Sequence, residues 1–532
     1  MLLAMGAGWT ASPATAAKGT SSCHKDAPPV IHDGFRQPPV RYSRNGLLDT
    51  RLRASVGPVD INGEKILAMN YEGSFPGPTL VICKDDRLVV HFENDLTQPT
   101  NLHTHGFHVE PDANHDNVYL DLKPGERFTY EYKIPAGNKP GAFWYHPHRH
   151  MFVEPQIFGG LSGAIIQEGG LDEVPALKKV PQRWMVIQST EVKDRAVLPV
   201  DQSVEADTPL YVNGVINPTV KIKPGQLQRW RIFNANDNRI VIFELPGKQR
   251  FHVLAEDANT LAATRTVRQL FIPPGSRREV LVRGPQPGKY AMRARPFSQF
   301  PGGNTAAGGG PTPNQTVLTL DSGQKAVKPP PLPHTALNKP VDLRKQQVQR
   351  KRTIVFDEKT VGANTDFLLN GHTFDPDRVI TMKLNSLEEW KLVNKNTEWH
   401  TFHIHINDFQ VVSVGGKKVP YVDYEDNVAI PPNETVVIRQ KPVDFTGKFV
   451  FHCHVTFHED HGMMAAVQVL KNPTAAQLRS SVSQDGAMTV SSSAYGSETE
   501  PAVASNAFAW LCDLGGHHEV AWRDEDEAGL SS

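Results

Sequence analysis

The sequence has little cysteine: four in 532 residues, at positions 23, 83, 453 and 512. That is too few for a disulfide-framed scaffold. It has no excess charge of either sign, with Lys+Arg 56 against Asp+Glu 57 and a net charge of -1. The electrostatic reason to expect a nucleic acid or an anionic membrane as partner is therefore missing. It has no run of about twenty apolar residues, so no segment reads as a transmembrane span. Glycine (41) and proline (42) stay below the low-complexity range and suit a turn-rich β protein.

The ends differ from the middle. A short apolar stretch leads to Ala14-Thr15-Ala16, which resembles a signal-peptidase site, although no Lys or Arg precedes it. Residues 1–44 are read as a signal-like segment and N-terminal arm, and export, periplasmic or extracellular, is expected. Cys23 follows Thr-Ser-Ser, a poor lipoprotein signal. From 473 to 532 the chain is Ser-rich and then acidic, and is read as a disordered tail.

Between these ends the length suggests three or four domains at about 150 residues each. Short alternating segments recur: Thr79–Lys84, Arg87–Phe92 and Arg127–Lys133, then Trp184–Ile187, Pro218–Lys223 and Gln228–Phe233, then Val379–Lys383, Glu389–Val393, Thr435–Arg439 and Lys448–Phe451. Strands of this length and spacing predict an all-β chain of sandwiches or barrels. One strand in each block ends in Asn, at Asn94, Asn234 and Asn394, a weak internal repeat. The expected units are 45–170, 171–322 and 351–472, with a Pro- and Lys-rich linker over 323–350. Pro301–Pro313 is expected to be a long loop of the middle block.

Histidine carries the chemistry. At 22 His, chance placement gives about one His-x-His pair; the sequence has five, starting at 103, 146, 148, 403 and 452. All lie in the outer blocks, so the middle block is expected to be a spacer without metal ligands. On a strand, residues i and i+2 share a face. His452 and His454 thus point one way and Cys453 the other, while His400 has opposite parity to His403 and His405. Two metal centres, back to back, are predicted. His400, Cys453, His458 and a distant Met463 form the ligand set of a blue-copper site. His103, His105, His146, His148, His403, His405, His452 and His454 remain, too many for one ion and reasonable for three. A four-ligand structural zinc site would leave most of them unexplained.

At these residues the chain resembles the three-domain multicopper oxidases, the family of laccases, ascorbate oxidase and bilirubin oxidase. The resemblance spans roughly 45–470 and is strongest at His452-Cys-His-x3-His458-x4-Met463. Ser74-Phe-Pro-Gly-Pro-Thr79 adds to it. It implies three consecutive cupredoxin-like Greek-key domains and four copper ions. The type 1 ion would lie on His400, Cys453, His458 and Met463, and the type 2 ion on His103 and His403. The type 3 pair would lie on His105, His146 and His454, and on His148, His405 and His452. It further implies one-electron oxidation of a small reducing substrate coupled to reduction of O2 to water.

The sequence departs from the family at Thr104, where many members carry Trp, and at His150, read as an outer or mobile residue. Reduction of O2 consumes protons. Glu459 matches an acid of many bacterial members. Asp116 is the second candidate, with Asp112 as its alternative; for Glu459 and Asp116 the competing readings are a surface carboxylate or a partner that orients an imidazole. Asp423 and Asp426 are substrate-face candidates that receive no assignment. Cys23–Cys83 is a candidate disulfide. Only 10 Met are present, without a Met-rich segment, and thioethers are the natural cuprous ligands. An organic, laccase-like donor is thus expected over a cuprous, manganous or ferrous ion. A copper-storage protein has no need of a Cys between two centres. A copper nitrite reductase has no need of eight paired His.

Overall fold

The computed structural model describes residues 22–478 except 136, 204–207, 301–310, 334–336 and 362–363. The signal-like start, most of the Pro301–Pro313 loop and the tail from 479, with Cys512, lie outside the described residues.

Six sheets form among the described residues, and they fall into three face-to-face pairs. Each pair encloses one apolar core. Leu52, Leu88, Val90 and Phe143 belong to the first, Trp230, Val241 and Val280 to the second, and Trp390, Phe402 and Phe451 to the third. The alternating segments seen in the sequence are the strands: Arg127–Lys133 and Val379–Lys383 match residue for residue. The protein is all-β, with cupredoxin-like domains.

The repeat has a physical basis. In each unit the first long strand runs parallel to the Asn-ending strand: Leu47–Ile61 beside Arg87–Asp95, Gln182–Ser189 beside Leu227–Asn234, and Arg350–Val361 beside Glu388–Asn394. The Asn at or next to the strand's end then holds the crossing to the facing sheet. Asn94 Nδ2 donates to the carbonyls of Gln98 (3.0 Å) and Leu122 (2.9 Å), Asn234 Nδ2 to Arg239 and Ile272 (both 2.8 Å), and Asn394 Nδ2 to Glu398 (2.7 Å) and Ile430 (3.2 Å). Each buried amide replaces backbone partners that the turning chain loses. In the outer units the held loop leads directly into His103–His105 and His400–Ile404.

Segments also cross between units. Val40–Tyr42 adds in parallel to Thr79–Cys83, so the N-terminal arm extends a sheet of the first unit. The hairpin Val192–Lys193 and Ala196–Val197 adds to that unit's other sheet through Ala196 and Leu67. The Pro-rich connection packs Leu332 and Leu337 against the apolar cluster around Leu254 and Leu281.

Candidate metal centres

The strands Gly447–Cys453 and His400–Ile404 are antiparallel neighbours in the third unit, with Phe402 opposite Cys453 and His403 opposite His452. Directly paired residues share a face. Cys453 therefore faces the interior of the third unit, and His403 and His452 face the first. There, His103–His105 and Gly141–His146 pair with His103 opposite His146. His148 follows, its N–H held by Asn101 Oδ1 at 2.6 Å. The two groups of imidazoles meet between the outer units.

On the inner side, Cys453 Sγ lies 3.6 Å from Nδ1 of both His400 and His458, and those nitrogens are 3.1 Å apart. The centre of that triangle lies about 2 Å from each atom, within reach of a metal–ligand bond. The helix Thr456–Asp460 returns His458 to this site. Met463 is bound at its backbone to both Cys453 and His458 and is fully buried beside them. Phe367 stacks on His458 at 4.1 Å and Phe356 on His400 at 5.5 Å. Burial pushes the Cys453 thiol up to about 12, opposed by the N–H groups of Thr401 and Val455, and lowers His400 to about 3. The imidazole is thus neutral, and the thiolate calls for a bound cation.

On the other side the eight remaining imidazoles form one cluster, with neighbouring centroids from 3.9 Å (His105–His403) to 6.2 Å (His103–His403). None of the twelve sequence-predicted ligands is more than 1% exposed. Three outer contacts fix which nitrogen faces inward. His103 Nδ1 donates to Asp116 (2.8 Å), His403 Nδ1 to the Asp426 carbonyl (2.8 Å), and His146 Nδ1 to the Pro147 carbonyl (2.8 Å). His148 and His452 bring their Nε2 atoms to 3.1 Å. Donor atoms converge as His148, His405 and His452, as His103, His403 and His405, and as His103, His105 and His146. His454 lies 5.0 Å from His105.

The cluster fits a set of metal ions. Nε2 of His103 and His403 and both nitrogens of His405 and His454 are buried without a hydrogen-bond partner. Each unsatisfied buried group costs about 1–3 kcal/mol unless a cation takes it. Burial, reinforced by the neighbouring imidazoles, holds His105, His146, His403, His405 and His454 well below the usual histidine range. They are therefore in the neutral, ligating form.

Both predicted acids reach the cluster. Glu459 is fully buried, with Oε2 2.9 Å from His452 Nδ1 and Oε1 3.5 Å from His148 Nδ1. Burial raises its pKa, but His452 and His148 outweigh that and hold it below the usual range. Asp116 accepts from His103 Nδ1 and from the N–H and hydroxyl of Thr104, at 2.8, 2.8 and 3.0 Å. Asp112 instead lies against Gly447. His150 packs on Phe374 at 5.0 Å.

Asp426, a candidate for the substrate face, is instead buried behind the imidazole cluster. Its Oδ1 is 3.4 Å from His105 Nε2, and Arg277 binds both its oxygens at 2.8 and 2.6 Å. Burial carries it up to about 8 despite Arg277. Arg277 and Asp257 come from the middle unit, which supplies none of the twelve predicted ligands yet builds the wall of the site. Asp257 accepts the Arg277 N–H at 2.8 Å. Gly275 adopts φ +82°, and a Cβ there would lie 2.7 Å from His454 Nε2. Trp144 stacks on His146 at 4.1 Å. Alternation in the sequence could place Trp144 near His146, but nothing local points to Arg277.

A one-electron thiolate site joined by a single peptide unit to a multi-ion imidazole cluster belongs to the class of blue-copper oxidoreductases. Models of the multicopper oxidase family match residues 55–170, 181–318 and 335–473, and the chain belongs to that family. It is 26% identical over 444 residues to a multicopper oxidase of Staphylococcus haemolyticus, covering 81% of this chain and 90% of that one. Its fold is similar to a multicopper oxidase from Campylobacter jejuni described as a metallo-oxidase (TM-score 0.70, 24% identity, 85% and 99% coverage). It is also similar to a laccase from Pediococcus acidilactici (TM-score 0.71, 21% identity, 84% and 95% coverage). The chain is an oxidoreductase with four copper ions of three types as cofactor, and its substrates are O2 and a reducing compound. No helix among the described residues is long and apolar enough to cross a membrane.

Proposed function

We propose that this enzyme is laccase-like and takes single electrons from phenolic or similar aromatic donors. His400, Cys453, His458 and Met463 would hold the type 1 copper, and His103 and His403 the type 2 copper. His105, His146 and His454, with His148, His405 and His452, would hold the type 3 pair. Bound copper supplies one-electron acceptance at the first site and four-electron reduction of O2 to water at the cluster. The observation that carries the reading is Cys453, flanked in sequence by His452 and His454, which gives a bonded path between the two sites. Glu459 contacts His148 and His452 and is placed to pass protons to the cluster. Asp116 holds the His103 tautomer, a positioning role. A cavity of about 520 Å³ that reaches Gly106 and Ile406, next to His105 and His405, supports an approach route for O2.

The outer edge of the type 1 site supports an aromatic donor. The buried rings of Phe300, Phe356 and Phe367 pack around its two histidines, and the carboxyl of Glu398 lies 3.5 Å from His458 Nε2 and 3.9 Å from His400 Nε2. Burial, then Glu358, raises Glu398 to about 8, so it stands neutral near pH 7 and can hydrogen-bond a phenol oxygen. The same Glu398–Glu358 proximity favours the second reading, oxidation of a cuprous, manganous or ferrous ion. Steady-state kinetics of the copper-loaded enzyme with substituted phenols and with each metal ion separate them. A kcat/KM for the best phenol above that for every ion supports the laccase-like reading, and the reverse order overturns it. Export is proposed as well, supported by the Ala14-Thr15-Ala16 segment and the Cys23–Cys83 disulfide.

A further inference from the structure

A second group of metal-type donors lies apart from the copper sites, where the N-terminal arm meets the first unit. Cys83 and Glu168 sit directly opposite each other at the ends of two parallel strands, so both side chains emerge on one face. The short helix Ser22–Asp26 lays Cys23 and His24 over them. Cys23 and Cys83 are joined as a disulfide. His24 Nδ1 hydrogen-bonds the Glu168 carboxylate and lies 3.6 Å from Cys23 Sγ and 4.0 Å from Cys83 Sγ. Cys23 Sγ is 3.5 Å from Glu168 Oε2. The four donor atoms all lie within 4.8 Å of one another.

The far side of the imidazole is fixed. His24 Nε2 lies 3.1 Å from the Ser43 carbonyl and 2.9 Å from its hydroxyl. The carbonyl only accepts, so Nε2 carries a proton, and the hydrogen bond between Nδ1 and the Glu168 carboxylate holds a second one, which a bound metal ion would replace. That outer contact is the one metal-ligating histidines make. The His24 and Glu168 side chains are only 3% and 4% exposed. A disulfide by itself gives no reason to bury an imidazole and a carboxylate beside it, and burying them carries a desolvation cost.

We propose that Cys23, His24, Cys83 and Glu168 form a redox-controlled zinc site, closed as a disulfide when oxidised and able to bind one zinc ion when reduced. A dithiol reductant supplies two electrons and two protons, leaving as its own disulfide and giving two cysteine thiols. The zinc ion then displaces to solvent both thiol protons and the proton held between His24 Nδ1 and Glu168, and is held by two thiolates, the His24 imidazole and the Glu168 carboxylate. The mixed donor set suits tetrahedral zinc, which accepts S, N and O together. A cuprous ion would use the thiolates and leave the hard carboxylate aside. In either state the arm stays tied to the first unit.

The test uses the copper-loaded enzyme, reduced without oxygen by a phosphine, which leaves as its oxide, with copper content measured before and after. Reduced copper is colourless, so added cobalt(II) can be read as a zinc surrogate. One cobalt per chain with sulfur-to-cobalt charge transfer is expected, displaced by one equivalent of zinc and absent without reduction. The Cys23→Ser/Cys83→Ser variant should bind none, and His24→Ala should weaken binding about tenfold or more. Reduced wild type that takes up no more cobalt than the double-serine variant overturns the proposal. Wild type alone gives an independent reading. Zinc should slow alkylation of Cys23 and Cys83 in the reduced enzyme, mapped by mass spectrometry, and equal rates with and without zinc overturn the proposal as well.

Discussion

Cys453 stands directly across from Phe402 in the antiparallel register of their strands, one residue from the pair His403–His452. That register puts a sulfur on one face and imidazoles on the other. A slip of one residue would exchange them and dissolve both sites. Back-to-back centres thus follow from strand parity, and four predictions test what the parity builds.

Cys453→Ser should abolish the blue thiolate-to-copper absorption and reduce turnover to background. The imidazole cluster draws on the opposite face, so copper content should fall by one equivalent only. Visible absorption and metal analysis check this, and loss of all four ions would contradict it.

Glu459→Gln keeps the shape but cannot carry a proton. Oxidase turnover should fall about a hundredfold, within the range for loss of a general acid. Reduction of the blue centre by donor under anaerobic conditions should stay near the wild-type rate. Stopped-flow reoxidation by O2 locates the defect, and equal slowing of both half-reactions would point to a folding effect instead.

Asp116→Asn leaves His103 Nδ1 and the Thr104 N–H competing for one acceptor. Copper affinity at the site containing His103 and His403 should drop by about 10–100-fold, as for other outer partners of metal ligands. Electron paramagnetic resonance of partly loaded enzyme resolves that ion from the blue one. An unchanged signal would remove the positioning role.

Arg277→Met strips the bidentate partner from buried Asp426. Breaking one side of such a pair costs about 3–5 kcal/mol, so Tm should fall clearly. Arg277→Lys should rescue poorly, because it lacks the fork. Adding Asp426→Asn to Arg277→Met should recover part of the loss, since the buried acid left without its guanidinium partner is then gone. Thermal unfolding of the three variants, with copper content, measures this.

The sequence alone determined what depends on short-range geometry. Alternation marked the strands, the Asn at 94, 234 and 394 marked a repeat, and His-x-His spacing assigned the paired imidazoles to a face, because a strand's side-chain period of two is local. The sulfur of Cys453 could be set apart from His452 and His454 for the same reason. Tertiary structure decided which distant groups meet. Arg277 reaches Asp426 across 149 positions of sequence and from another unit, and Asp426 lies behind the imidazoles rather than at a substrate surface. Cys23 meets Cys83, His24 and Glu168 only because the N-terminal arm adds to a sheet edge. Charged residues at such seams carry no periodic signal. Their burial is fixed by how whole units pack, and at those seams the fold assembles the wall of its copper cluster.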